Sequence, residues 1–462
     1  MAAGDARHDG AFCGIDAVLS WDVLNRRVLL FSFLALALCG CSTTDYRNTS
    51  YHRVTLERIE AAGKNGAPGN APSTLRAGTA KVEITPPIGM PLQGFGSRRG
   101  EPSRGVHDSL FARVLVLKND HAQLVLVSCD LMGVTRNLTD AVFEKAGRKV
   151  PLARSEFVML ATHTHSGAGG LSDRFAMQFV GGRFRPKLFA ETTDRIAEAV
   201  VRASRDTQPA QISFGSGETI DLNKNRSRCG GPVDREVKVL RVTNGDGRPI
   251  AWLVNFAAHP TIFGANWEFT ADFPGYLCRE LEQDGAVALF ANGAAGDLNI
   301  QGRNDPSKEA KAERAGSTLA QRGAEIASKL LRKDVVEMET RYVEALLPPV
   351  RIRLDGAAIP VWLGNCLFPR TLPVHLARID HTLFVTVPFE LNAEIGLAWK
   401  QEAAKRGHDL FVLGYANDYA GYVVPERNYA TTCYEARTSF YGPQLDGYLT
   451  EVFVKMMEGT AK

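Results

Sequence analysis

Short apolar runs recur along the chain, among them "ARVLVLK", "QLVLVSC", "EVKVLRV", "AVALFA", "TLFVTV" and "DLFVLG", each closed by polar or turn-forming residues. Runs of this length, rich in Val, Leu and Phe, predict buried strands. Helical patterns fall between them. Ile196, Ala199, Val200 and Ala203 keep a helical spacing, and "PSKEAKAERAGSTLAQRGAEIASKLLRKD" predicts a long helix with a proline near its start. Strands alternating with helices predict an α/β fold, a mixed sheet flanked by helices in a single large domain. No internal repeat is visible, and a helix-and-strand insertion between Asp305 and Val350 is the expected subdomain.

Polar residues sit where the strands end. Asp130 follows "LVLVSC", His163 and His165 follow "EFVMLA", His259 follows "LVNFAA", Asn292 to Asp297 follow "AVALFA", and Glu390 follows "FVTVPF". Ligands of α/β sheets collect at the carboxyl ends of strands, so this recurrence predicts one shared site. Within it, "ATHTHSGAGG" is the densest stretch. Alternation along an extended chain would turn His163 and His165 the same way, one imidazole for a metal and one for whatever the metal binds. A loop with two polar residues is the plain alternative. Gly167, Gly169 and Gly170 predict tight backbone turning rather than phosphate binding, since no GxGxxG or GKT pattern follows.

The amino-terminal "NRRVLLFSFLALALCGCS" carries two arginines and an apolar stretch from Val28 to Leu38. That stretch is shorter than the roughly 20 residues a bilayer span needs, but it suits a signal-peptide core. Leu38-Cys39-Gly40-Cys41 resembles the lipobox of bacterial lipoproteins, which predicts a leader over 1–41 and a lipid-anchored or secreted cell-envelope protein facing the periplasm. A plain secretory signal is the alternative. Residues 42–76, with "AAGKNGAPGNAPSTLRAG", predict a flexible tether, and 77–462 the folded domain. Five cysteines follow the leader, at 129, 229, 278, 366 and 433, without CxxC spacing. They indicate neither a disulfide framework nor a cysteine zinc site, although one or two disulfides fit a location outside the cytoplasm. With 54 Lys plus Arg against 51 Asp plus Glu, no nucleic-acid partner is expected, and no protein partner is inferred.

The stretches "GTAKVEITPPIGMPLQGFGSRRGEPSRGVHDSLFARVLVL", "THTHSGAGG", "NKNRS", "NFAAHPTIFG", "GDL", "VPFE" and "NDYAGYVVPERNYATTCYEARTSFYGP" resemble, in order and local pattern, the neutral (non-lysosomal) ceramidases. The resemblance runs from about Gly78 to Gly447. It implies a zinc-dependent amidohydrolase that splits the N-acyl bond of ceramide, or of a related lipid, by metal-activated water. Position by position, it implies zinc ligation by His163, His259, Glu390 and Tyr422, and catalytic support by His165, Arg226 and Tyr434. Imidazole nitrogen and carboxylate oxygen are ordinary zinc ligands, whereas Arg and Tyr can donate to a developing oxyanion. His165 suits proton transfer near neutral pH.

The chain departs from that pattern in one respect inside the site. Where the family has Gly-Asp-x-Ser-Pro-Asn, it reads Gly296-Asp297-Leu298-Asn299-Ile300-Gln301. An amide side chain cannot form an acyl ester, so a serine nucleophile is excluded here and Asn299 is expected to orient substrate instead. A counterpart of the family's C-terminal immunoglobulin-like domain is not expected after "SFYGPQLDGYLTEVFVKMMEG". Two other readings stay open: a metal-dependent hydrolase of a different amide or ester, and a non-catalytic ligand-binding envelope lipoprotein.

Overall fold

The computed structural model describes residues 44–64, 71–354 and 357–458. The leader falls outside them. Among the described residues, no helix is long and apolar enough to cross a membrane. The chain divides into two compact units, Met1–Thr49 and Ser50–Lys462. In the first, the described residues hold one 3-10 turn, Tyr46–Asn48, capped by the Asp45 side chain.

The second unit opens with helix α1 (Ser50–Lys64) and then builds one pattern three times. Strands β1 (Arg76–Glu83), β2 (Phe111–Lys118) and β3 (Gln123–Cys129) run antiparallel; helix α2 (Arg136–Gly147) then crosses to β4 (Phe157–Ala161), which lies parallel to β3. After helix α3 (Pro186–Arg205), strands β5 (Gln211–Glu218), β6 (Glu236–Thr243) and β7 (Pro249–Phe256) form a second antiparallel set. Helix α4 (Asp272–Leu281) leads to β8 (Val287–Asn292), parallel to β7. Helix α5 (Lys308–Ser328) precedes the third set, β9 (Met338–Leu346), β10 (Thr371–Ile379) and β11 (Thr382–Val387), from which α6 (Ala393–Lys405) crosses to β12 (Asp409–Gly414), parallel to β11. Helix α7 (Leu445–Glu458) follows.

The three sheets share one apolar core, in which Leu126 and Leu160 of the first meet Leu253 and Leu289 of the second and Phe384 and Phe411 of the third. The strands of the parallel pairs are buried along almost their whole length, as is usual for strands covered on both faces. Polar side chains also cross between sheets at full burial. Ser128 Oγ of the first sheet donates to the Phe290 carbonyl of the second at 2.6 Å, and Asn255 Nδ2 of the second donates to the Val412 carbonyl of the third at 3.0 Å as well as to Ala291 in its own sheet at 2.9 Å. The carboxyl ends of three parallel pairs are thereby brought to one place.

Two expectations need correction. Between 42 and 76 the sequence suggested a tether, yet α1 occupies Ser50–Lys64 and packs on β9 and α7. Its buried side chains His52 and Thr55 are polar, which hid the packing: the Tyr448 hydroxyl donates to Thr55 Oγ1 at 2.8 Å, and Thr55 Oγ1 accepts from the Leu346 amide at 2.9 Å. The stretch from Asp305 to Val350 is no subdomain either. Its helix α5 covers α4 and β6, and its strand β9 pairs with β10 inside the third sheet.

Candidate functional site

Strand β4 ends at Ala161, and His163 adopts a left-handed φ of +71°, an uncommon conformation for a residue with a Cβ. That turn, not strand alternation, brings the two histidines together. His163 Nε2 and His165 Nε2 lie 3.2 Å apart. His259 arrives after β7 from the second sheet, and the ligand nitrogens of His163, His165 and His259 all lie within 4.8 Å of one another, a group that could hold a metal ion.

Both outer rings are fixed by carbonyls. His163 Nδ1 donates to Met132 O at 2.6 Å and His259 Nδ1 donates to Ala295 O at 2.7 Å. A carbonyl only accepts, so in each neutral ring Nε2 is the bare nitrogen. Burial, reinforced by the neighbouring Arg226, pushes His259 down to about 3 and so keeps it neutral. Burial and the other two imidazoles hold His165 well below the ordinary histidine range.

Glu390 follows β11 from the third sheet. Its Oε2 lies 3.3 Å from His163 Nε2 and 2.9 Å from His259 Nε2, while Oε1 accepts from the Tyr419 hydroxyl. Glu390 Oε2 is buried without a hydrogen-bond partner. Lone pairs of two imidazoles thus face a carboxylate oxygen, an arrangement a cation between them would relieve. Two nitrogens, a carboxylate and a nearby phenol form a donor set that fits a zinc-type divalent ion.

Tyr422 enters from the segment paired with Glu390, since Glu390–Leu391 forms a short parallel ladder with Tyr422–Val423. Its hydroxyl lies 3.5 Å from His259 Nε2 and accepts from Arg226 at 3.0 Å. Burial and the Glu390 charge push this phenol well above its ordinary range, against the pull of Arg226. Arg226 donates to the Gly296 carbonyl at 2.7 Å and to Asn299 Oδ1 at 3.4 Å, and pairs with Glu435 at 3.5 Å. Tyr434 stands at the mouth, 62% exposed, with its ring 5.5 Å from that of Tyr422. The structure thus gathers His163, His165, His259, Glu390, Tyr422, Arg226, Asn299 and Tyr434 in one neighbourhood.

Asp130, counted by sequence among the strand-end polar residues, does not join it. Its carboxylate accepts from Arg113 at 2.8 Å and from the Phe111 amide at 2.9 Å. Other residues support the site without a sequence signal of their own. The Tyr415 ring stacks on His163 at 3.9 Å, and Arg98 donates to the His165 carbonyl at 2.6 Å. Gly94 must lack a side chain, because a Cβ there would come within 2.7 Å of His165. Gly170, at a φ of +74°, bears out the tight turning expected of its segment, and at Gly169 a Cβ would meet the closely approaching Gly181 carbonyl at 2.2 Å.

Cys229 and Cys433 form a disulfide, which links the loop carrying Arg226 to the one-turn helix Tyr434–Arg437. Cys129, Cys278 and Cys366 are free. The disulfide closes a separation of 204 residues. Replacing both cysteines by serine is expected to lower the unfolding free energy by about 2–4 kcal/mol. Denaturant unfolding with and without reductant checks this, and superimposable curves for the two proteins would refute it.

The family described as "Neutral/alkaline non-lysosomal ceramidase, N-terminal" matches residues 75–327. The chain is similar to the neutral ceramidase of Pseudomonas aeruginosa, 26% identical over 82% of this chain and 71% of that protein. It is also similar to the neutral ceramidase of Mycobacterium tuberculosis, 24% identical over 76% of this chain and 71% of the other. The crystal structure of the Pseudomonas aeruginosa protein has the same fold, with a TM-score of 0.75 at 24% identity, over 83% of this chain and 74% of that one.

Proposed function

The chain belongs to the neutral/alkaline non-lysosomal ceramidase family, and from that membership we propose that it is a zinc-dependent amidohydrolase cleaving an N-acyl amide of the ceramide class into an amine and a carboxylic acid. One observation carries the metal part of this reading: two buried imidazole Nε2 atoms from different sheets face a carboxylate oxygen that has no hydrogen-bond partner. His163, His259 and Glu390 would hold the ion, with the Tyr422 phenol beside them and His165 within the same group. When bound, such an ion supplies Lewis-acid chemistry, polarising the amide carbonyl and acidifying water to a pKa of roughly 7.

The protein's own groups do the rest. Arg226 is anchored on the Gly296 carbonyl and keeps a fixed positive charge beside the imidazoles, where an amide oxygen gains negative charge during attack. His165 Nδ1 is buried and has no hydrogen-bond partner, so this ring is not committed to a carbonyl as the other two are. Burial and the other two imidazoles keep it neutral, and so able to take a proton from water and return it to the leaving amine, although as a weaker base than the near-neutral histidine the sequence suggested. Tyr434 donates from the mouth, and Asn299, next to Arg226, orients the substrate.

Purified protein is expected to carry about one equivalent of zinc and to release fatty acid from a short-chain ceramide, losing that activity to a chelator and regaining it with zinc. A folded protein that binds no divalent cation by native mass spectrometry and cleaves no N-acyl amide would overturn the proposal.

A further inference from the structure

Next to Arg226 and Tyr434 lies a cavity of about 410 Å³. Resting on the hydrolase reading above, we infer that it is a subsite for an anionic group, a phosphate, sulfonate or carboxylate, carried by the substrate close to the scissile amide.

Charge is the first argument. Arg226, Arg228 and Arg437 all line the cavity, and Glu435 is the one carboxylate among its lining residues. Glu435 is buried and already engaged: one oxygen pairs with Arg226 at 3.5 Å and the other accepts from Ser227 Oγ at 3.0 Å. The wall therefore presents more guanidinium than carboxylate, and Arg228 and Arg437 stand exposed at the rim. Guanidinium forks match oxyanions in geometry as well as in charge. A neutral amide alone offers them nothing.

Construction is the second. Arg228 precedes Cys229, and Arg437 lies one helical turn beyond Cys433, so the disulfide fastens the two walls to each other. The Thr431 hydroxyl lies 3.2 Å from Cys229 Sγ and also donates to the Asn428 carbonyl at 2.6 Å. Cations held on cross-linked backbone lose less freedom on binding than cations on a free loop. The position is the third argument. Arg226 borders the cavity and also reaches His259 Nε2 at 3.2 Å, so a group seated there is one side chain away from the imidazoles.

Two sources of an anion are possible, a substituent on the substrate or the carboxylate of the released acid, and the assignment is to the substituent. The test compares N-dodecanoyl taurine with N-dodecanoyl ethanolamine on the zinc-loaded protein at low salt. The sulfonate is expected to be favoured in kcat/KM by about tenfold or more, with the preference shrinking as ionic strength rises. In an Arg228→Ser/Arg437→Ser variant the ratio should fall toward unity. Equal rates for the two amides in the unaltered protein, or a ratio unmoved in the variant, overturn the inference while leaving the hydrolase reading intact. If the variant instead loses only inhibition by dodecanoate, the cavity holds the acid product and the assignment to substrate fails. Cleavage of neither amide, and of no short-chain ceramide either, counts against the hydrolase reading. The subsite is then read by calorimetry with hexanesulfonate against hexanol on the unaltered protein, which also serves if the double variant does not fold. Preferential binding of the sulfonate supports the subsite, and equal or absent binding sinks it.

Discussion

Glu390→Gln is expected to lower kcat/KM for amide hydrolysis by at least about a thousandfold and to empty the protein of metal, while leaving the metal-free fold as stable as before or more so. The activity loss follows from ligand chemistry. Partners that only orient metal ligands already cost about 10- to 100-fold when removed, and Glu390 faces the bare nitrogens directly, at 3.3 and 2.9 Å. The stability effect has the opposite sign because of what the carboxylate endures without a cation. Its Oε2 is buried and lacks a hydrogen-bond partner. An amide of the same shape keeps an oxygen for the Tyr419 hydroxyl and turns an NH2 toward the two imidazole lone pairs, replacing acceptor against acceptor with donor against acceptor. Satisfying a buried polar atom in this way is worth about 1–3 kcal/mol. Metal content by mass spectrometry, steady-state kinetics, and melting with and without chelator measure all three quantities. A variant that keeps its metal and stays within about tenfold of the parent in kcat/KM would rule out Glu390 as a ligand.

How much of this was written legibly in the chain can be judged residue by residue. The strands were, because β2, β3 and β11 are buried runs whose composition leaves little choice. Their threefold arrangement was not. Each unit repeats an order of strands and one helical crossover, and that order is enforced by pairing between distant segments, so no residue pattern has to repeat with it. Strand-end position flagged His163, His259 and Glu390 correctly as neighbours, and flagged Asp130 wrongly, since a carboxylate at a strand end can just as well turn back to a buried arginine. The approach of His165 to His163 depends on a single left-handed φ, which residue alternation cannot express. Glu435 and Tyr419 lay unmarked beside residues that were marked. Their roles come from which neighbour they meet, the Arg226 guanidinium and the Glu390 carboxylate, and that is decided by tertiary packing.

Arg226→Met is expected to reduce kcat by about 100- to 1,000-fold, the range for loss of one preorganised donor to a developing oxyanion, with metal content close to that of the parent. The retained metal separates this variant from Glu390→Gln. Arg226 touches the Tyr422 hydroxyl at 3.0 Å and comes within 3.2 Å of His259, but it is a cation and cannot itself be a ligand, so its loss leaves the donor set in place. KM should move less than kcat, because the charge Arg226 meets is largest in the transition state and small in the bound amide. One confounding effect is built into the fold: without the guanidinium, Glu435 keeps only Ser227 as a partner while buried. The double variant Arg226→Met/Glu435→Gln removes that stranded charge. If the kcat deficit persists in the double variant while thermal stability recovers, the deficit belongs to the lost donor. If kcat returns to the parent value, Arg226 serves only to neutralise Glu435, and its assignment as an oxyanion donor is wrong.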